Sequence, residues 1–260
     1  MVIDEILGRL ARAIAFLSRL PVPDRFFSVN NEGTADDSGY FPLAGAVIAL
    51  PSAVLILVMS WLDAPSALTA LLALLVLVLA TGALHEDGLA DCADAFGAGG
   101  NTERKLAILK DSRIGTYGAL ALLFSLALRG VTLTVLIAVG PPLATAFTFI
   151  AVAALSRALM VWHWHHLPTA RADGVAGRAG IPNSQALRAA LGSGLAMGIL
   201  LTSFQAGLVS ALVSCFIAGI AAWFWTVLVK RTLGGQTGDT IGATQQFSEI
   251  TLLIALVVTL

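Results

Sequence analysis

His85-Glu86-Asp87-Gly88-Leu89-Ala90-Asp91-Cys92-Ala93-Asp94 is the stretch on which the reading of this chain turns. It follows residues 67–84, a run without a charged side chain. On a helix, Asp87, Asp91 and Asp94 fall at i, i+4 and i+7 and share one face. Carboxylates that close repel and raise one another's pKa unless a cation sits among them. A hard divalent ion with oxygen ligands, Mg²⁺ or Mn²⁺, answers that need. The competing reading is a solvated acidic face at a membrane surface.

The surrounding chain favours a membrane. Of 260 residues, 57% are hydrophobic and 12% charged, with a mean hydropathy of +0.87. Long apolar runs recur at membrane-spanning length. Net charge is −1, so no bulk field favours nucleic acid. Cys92 and Cys215 form neither a disulfide framework nor a CxxC site. The N-terminus, with Asp4 and Glu5, is atypical of a signal peptide.

The expected architecture is all-α, a polytopic integral membrane helix bundle. It has about six to seven transmembrane helices after an N-terminal amphipathic helix. Residues 1–260 form one membrane-embedded catalytic domain. Residues 1–20 read as the interfacial helix, with Ile3, Ile6, Leu7, Leu10, Ile14 and Leu17 on one side and Arg9, Arg12 and Arg19 toward anionic lipid. Pro21-Val22-Pro23 stops it, and residues 28–39 read as a loop. Spans are expected near 40–62, 66–84, 117–139 and 143–161. Residues 186–229 hold two more, broken at Ser203-Phe204-Gln205, and residues 247–260 form a short, marginal seventh. Thr102 reads as the cap of a short helix running through Lys110. Residues 85–118 and 230–246 read as active-site loops, and 167–185 as a polar loop.

Thirteen of the fifteen Lys and Arg residues lie in the N-terminal segment or in the loops around 85–115, 165–190 and 230–246. Positive-inside bias puts these in the cytoplasm, so the active-site loops are expected on the cytoplasmic side of the membrane. Lys110-Asp111-Ser112-Arg113-Ile114-Gly115 brings cations, a hydroxyl and a glycine to the same side as the carboxylates. Those groups suit a phosphate, although flanking positive charge explains Lys110 and Arg113 equally well. Asp111 reads as a further metal ligand or as the group orienting Lys110 and Arg113. The glycines of Gly234–Gly238 let backbone approach a ligand, and Asp239 adds a metal or ribose ligand, although most glycine-rich loops are turns. Metal, carboxylates and basic groups together suggest phosphoryl transfer.

Two arginines lie within spans. Arg129 is too deep to snorkel, so it calls for a phosphate or carboxylate partner. Arg157 reads equally as a snorkelling residue or as a functional one. Trp162, His163, Trp164, His165 and His166 read as an interfacial belt rather than a metal site.

These motifs, with Phe16-Leu-Ser-Arg-Leu-Pro-Val-Pro23, Tyr40-Phe-Pro-Leu43, Ser156-Arg157, Arg171-Ala-Asp-Gly174 and Gly235-Gln-Thr-Gly-Asp239, resemble the cobalamin synthase (adenosylcobinamide-GDP ribazoletransferase) family in order and spacing over residues 10–250. Glu86 and Cys92 depart from the residue types expected there. The resemblance implies a Mg²⁺-dependent multi-pass enzyme of the bacterial inner membrane. It would join adenosylcobinamide-GDP to α-ribazole or its 5′-phosphate, releasing GMP and forming adenosylcobalamin or its 5′-phosphate. On that scheme Asp87, Asp91 and Asp94 hold Mg²⁺, with Asp239 completing the metal site or binding nucleotide. Lys110 and Arg113 neutralise phosphate oxygens, and His85 or a free carboxylate takes the acceptor's proton. Ser112, Arg129, Arg157, Gly235, Thr237 and Gly238 contact substrate. A homo-oligomer is compatible with the sequence. The rival readings are a CDP-alcohol phosphotransferase, whose Ala-Arg pair after Asp-Gly is missing here, and a transporter, for which no internal repeat appears.

Overall fold

The computed structural model describes residues 2–27, 34–171 and 174–260. Residues 28–33 of the expected loop, Ala172 and Asp173 of the 171–174 motif, and the side chain of Ile3 lie outside the described residues. The helices are α1 (Val2–Leu17), α2 (Thr34–Asp37), α3 (Phe41–Trp61), α4 (Ser66–Thr81), α5 (Leu84–Gly97), α6 (Thr102–Ile108), α7 (Thr116–Val139), α8 (Pro142–His166), α9 (Val175–Ala179), α10 (Ser184–Leu233) and α11 (Gly238–Thr259). Among the described residues there is no strand, only an isolated parallel bridge between Thr169 and Gln236. Five helices are long and apolar enough to cross a membrane, and a sixth span results if α4 and α5 count as one bent pair.

The helix α10 supplies two of the expected spans. Gly207 leaves the helical region at φ 78°, and the chain doubles back there. The geometry requires it: a Cβ on Gly198 would stand 3.4 Å from Cys215 Sγ, whereas seventeen residues of straight helix would separate these positions by about 25 Å. The break lies past Ser203-Phe204-Gln205 because conformational freedom decides it, and glycine takes φ > 0 at low cost. Gln205 instead donates from Nε2 to Leu136 O at the end of α7.

The bundle is built around α8, which α3, α10 and α11 all contact. Its alanines allow close approach, the usual device where lipid offers no hydrophobic drive between helices. A Cβ on Gly45 of α3 would lie 2.6 Å from Ala153 O, and one on Gly194 of α10 would overlap the Ala158 methyl. Leu123, Phe124, Val131, Val209, Phe216 and Phe224 are each more than 60% exposed on the outer surface, the pattern of faces that lipid covers.

Several expectations are corrected. The seventh helix is not a short tail from residue 247. It begins at Gly238 and runs for 22 residues. Its polar residues Gln245, Gln246 and Glu249 are buried, so they depress the hydropathy of a helix that faces inward. Residues 230–246 are therefore mostly helical, with a short connection at 234–237. Residues 85–118 contain α5 and α6, and 167–185 contains α9. The cap of α6 is Asn101, which accepts from Arg104 N at 3.1 Å. Thr102 donates to Thr232 O, and the helix ends at Ile108 rather than Lys110. The arginines of the N-terminal segment have protein neighbours: Arg12 pairs bidentately with buried Asp37 at 2.6 and 2.8 Å, and Arg19, beyond the end of α1, packs over Gly82. His163 and Trp164 are buried, not interfacial. His163 bridges Thr226 and Thr240, and the Trp164 indole donates to Gly180 O.

Candidate active site

Two successive left-handed residues, Gly82 (φ 65°) and Ala83 (φ 59°), end α4 and turn α5 away from it by 89°. The acidic stretch therefore leaves the axis of the preceding span and runs across the bundle as a separate helix. There α5 packs on α11 and α7. The crossing with α11 is glycine against backbone. A Cβ on Gly88 would lie 2.7 Å from Asp239 O, and one on Gly242 would lie 3.5 Å from His85 Cα. This close approach sets Asp87 and Asp91 beside Asp239, the residue expected from the sequence to join them.

Gly88→Ala is expected to force the two helices apart, because the obstacle is backbone and cannot swing aside. Misplacing reacting groups by about 1 Å lowers turnover by up to about 10²-fold. Steady-state turnover of Gly88→Ala should fall between 10- and 100-fold, roughly, with the protein still extractable as a folded species. Native turnover would show that the close crossing is not needed.

Asp239 sits in the first turn of α11, where the helix dipole favours an anion. Thr237 caps that helix: its hydroxyl accepts from Thr240 N at 3.3 Å and donates to Asp239 Oδ2 at 3.2 Å. Arg171 Nη2 approaches the same Asp239 oxygen at 3.5 Å, while its buried Nε and Nη1 have no partner among the described residues. The segment carrying Arg171 is stitched to the one carrying Asp239 by Ala170 N to Gln236 O at 2.9 Å and Gln236 N to Pro168 O at 2.8 Å. Gly235 is a glycine because the backbone of Pro168 and Ala170 crowds it. Gly235 and Thr237 thus both have a structural part in this crossing. Gly238 has open space around its Cα.

The crowding of carboxylates is felt most by Asp91. Its carboxyl is pushed up to about 7, first by burial and then by the charges of Asp87, Asp239 and Asp94, with Arg171 opposing. Asp94 is tied down: its two oxygens accept from Gly115 N at 2.7 Å and Gly118 N at 2.9 Å. The glycines are needed because a Cβ at either position would overlap that carboxylate. Asp94 therefore anchors the 110–118 segment to the acidic helix. On that segment Arg113 is 86% exposed at its side chain and pairs with Asp111 at 2.6 Å, so Asp111 orients Arg113. That pairing holds the Asp111 carboxyl down at about 2. Lys110 and Ser112 are exposed on the same segment. Among the described residues, no three carboxylate, imidazole or thiol groups stand close enough to grip one ion by themselves.

Behind α5 lies a polar network inside the bundle. Arg129, fully buried, donates to Glu86 at 3.0 Å and to Glu249 at 3.1 Å. Gln246 Nε2 donates to Glu86, Gln245 Nε2 to Glu249, and Ser125 Oγ to Gln246. The anionic partner expected for Arg129 is this pair of carboxylates, which engage both of its terminal nitrogens. The departure at Glu86 is explained by the same contact. Arg157 does not snorkel; it is fully buried, donates to Ala153 O at 2.9 Å, and occupies the space left by Gly45. The four buried charges of Arg129, Arg157, Glu86 and Glu249 sum to zero. His85 is buried beside them, and its imidazole is held well below its usual range by burial and by the Arg157 and Arg129 charges.

Sequence reasoning missed Arg171 and Gln236 as site residues and Glu249 and Gln245 as internal partners. The polar stretch 245–249 inside an apolar tail was the available signal for the last two.

The profile of the cobalamin-5-phosphate synthase family matches residues 9–257. An adenosylcobinamide-GDP ribazoletransferase of Sinorhizobium medicae (strain WSM419) is 48% identical over 256 residues, covering 98% of this chain and 97% of the relative. The protein of that name from Rhizobium meliloti (strain 1021) is 47% identical, with the same coverage. That from Allorhizobium ampelinum is 46% identical over the whole of both chains. No solved structure matches. The chain belongs to the cobalamin-5-phosphate synthase family.

Proposed function

We propose that this transferase moves the adenosylcobinamide phosphate moiety of adenosylcobinamide-GDP onto α-ribazole or its 5′-phosphate. GMP is released, and the product is adenosylcobalamin or its 5′-phosphate. The observation that carries the reading is the crossing of α5 and α11. In a chain of this family it sets Asp87, Asp91 and Asp239 together beside a segment bearing Lys110 and Arg113.

The donor set is oxygen only, as Mg²⁺ prefers. Mg²⁺ commonly takes one or two protein carboxylates and completes its shell with phosphate oxygens and water, so a three-carboxylate cage is not required. Asp87 and Asp239, one from each crossing helix, are the residues that would hold it. Bound there, Mg²⁺ would supply charge neutralisation on the diphosphate. The ribazole 3′-hydroxyl attacks the cobinamide-side phosphorus, the bond to the GMP oxygen breaks, and the hydroxyl proton passes to a carboxylate. With Asp87 and Asp239 assigned to the metal and Asp94 held by Gly115 and Gly118, Asp91 is the carboxylate left for that task. His85 is the weaker base, because its surroundings disfavour the imidazolium. Lys110, Ser112 and Arg113 meet the departing phosphate from the segment that Asp94 holds, and Gly238 leaves backbone open to substrate. The Lys and Arg distribution supports an inner-membrane orientation with this site on the cytoplasmic side.

The assay is incubation of the purified, lipid-reconstituted protein with adenosylcobinamide-GDP, α-ribazole and Mg²⁺. GMP and an equal amount of adenosylcobalamin are expected. No GMP with either ribazole form, combined with CMP release from a CDP-alcohol, would overturn the reading.

A further inference from the structure

A cavity of about 240 Å³ opens beside the carboxylates. Asp87, Asp239 and Gly238 are on its wall, and the rest of the lining is largely apolar: Phe16 from α1, Met160 and Trp164 from α8, and Ile241 from α11. Trp164 offers only ring surface, since its indole N–H is already given to Gly180 O. Phe41 backs this wall, stacked on Phe16 at 5.7 Å and 6.2 Å from the Trp164 ring. His85 also lines the cavity. It is 2% exposed, and its Nε2 is buried with no hydrogen-bond partner among the described residues.

Size and chemistry together narrow the occupant. Sites for drug-sized ligands run to about 300–1,000 Å³, so this cavity is too small for a corrin ring or a whole nucleoside diphosphate. It suits one bicyclic ring system. The purines of the donor substrate carry several donors and acceptors on their edges, and burying those against Phe16, Met160 and Ile241 would leave them unpaired. The benzimidazole of α-ribazole is apolar apart from one unsubstituted ring nitrogen. We propose that this cavity binds the benzimidazole ring of the acceptor, with its free ring nitrogen facing His85 Nε2. The ribose then lies toward Asp87 and Asp239, which brings the acceptor hydroxyl to the carboxylates. This inference rests on the reading of the chain as a ribazole transferase.

The test compares acceptors and a cavity-filling variant. On the wild-type protein, removing both ring methyls from the acceptor should lower kcat/KM about tenfold or more, as lost methyl groups do in a fitted apolar pocket. Ala179, another lining residue, is changed to leucine. Ala179→Leu should raise KM for α-ribazole about tenfold, leave KM for adenosylcobinamide-GDP unchanged, and shift preference toward the methyl-free acceptor. His85→Leu should raise KM for α-ribazole with the Mg²⁺ dependence unchanged, while His85→Gln, which keeps an N–H donor, should recover part of the loss. If the wild-type protein uses both acceptors equally, or if Ala179→Leu raises KM for adenosylcobinamide-GDP instead, the cavity does not hold the acceptor base. If the wild-type protein releases no GMP with any acceptor, the transferase reading itself fails.

Discussion

Arg129→Met is expected to destabilise the protein by about 3–5 kcal/mol, the usual result of removing one partner from a buried ion pair. The reason is what it leaves behind. Glu86 and Glu249 both point at Arg129 and, without it, are two like charges facing each other in the bundle. Among the described residues, each then keeps a glutamine amide as its hydrogen-bond donor. Denaturant titration of the purified protein, with its yield from membranes, measures the effect. Combining Arg129→Met with Glu86→Gln and Glu249→Gln should restore most of the stability, because neutral amides remove the repulsion and keep acceptors for Gln245 and Gln246. The outcome also separates two roles. A phosphate-binding arginine would raise KM and leave stability alone; Arg129 is expected to do the reverse. A stable Arg129→Met protein with a raised KM would return Arg129 to the substrate site.

The network carries this weight because of where Glu86 stands. It immediately precedes Asp87 on α5, so the ion pair to Arg129 on α7 and the shared contact with Glu249 on α11 fix the rotation of the acidic helix. Turning α5 about its axis would break the buried pair and swing Asp87 and Asp91 away from Asp239. The glycine crossing at Gly88 sets the separation of the helices, and the Arg129 network sets their rotation.

How far the sequence led depended on the range of each interaction. The shared face of Asp87, Asp91 and Asp94 was legible because it follows from helical spacing alone. The role of Asp94 was not, since its partners Gly115 and Gly118 meet it only in the folded chain. Span positions were legible from apolar runs, but the doubling-back at Gly207 was displaced because polarity, not backbone freedom, was used to find it. The early start of α11 was hidden because Gln245, Gln246 and Glu249 are polar residues facing inward. Arg129 was read as needing a phosphate or a carboxylate, and the carboxylates are Glu86 and Glu249; hydropathy cannot say which anion, because the partners come from other helices. The acceptor cavity draws its walls from α1, α5, α8, α9 and α11, and no local pattern encodes that meeting.

The second large effect concerns the carboxylates. Asp87→Asn and Asp239→Asn keep the shape of the crossing and remove one ligand charge each. Loss of a group that stabilises transition-state charge typically costs about 10²–10³ in turnover, and a weakened metal site adds a demand for more metal. Asp91→Asn removes the proton acceptor. It should lower turnover comparably, with a smaller change in the Mg²⁺ requirement. The rate of GMP release from adenosylcobinamide-GDP and α-ribazole, titrated with Mg²⁺ for the wild-type protein and these three variants in lipid vesicles, tests the central claim most directly. The expected result is a rise of about tenfold or more in half-saturating Mg²⁺ for Asp87→Asn and Asp239→Asn, with turnover lost in all three. Near-native turnover and unchanged Mg²⁺ dependence in all three would contradict it.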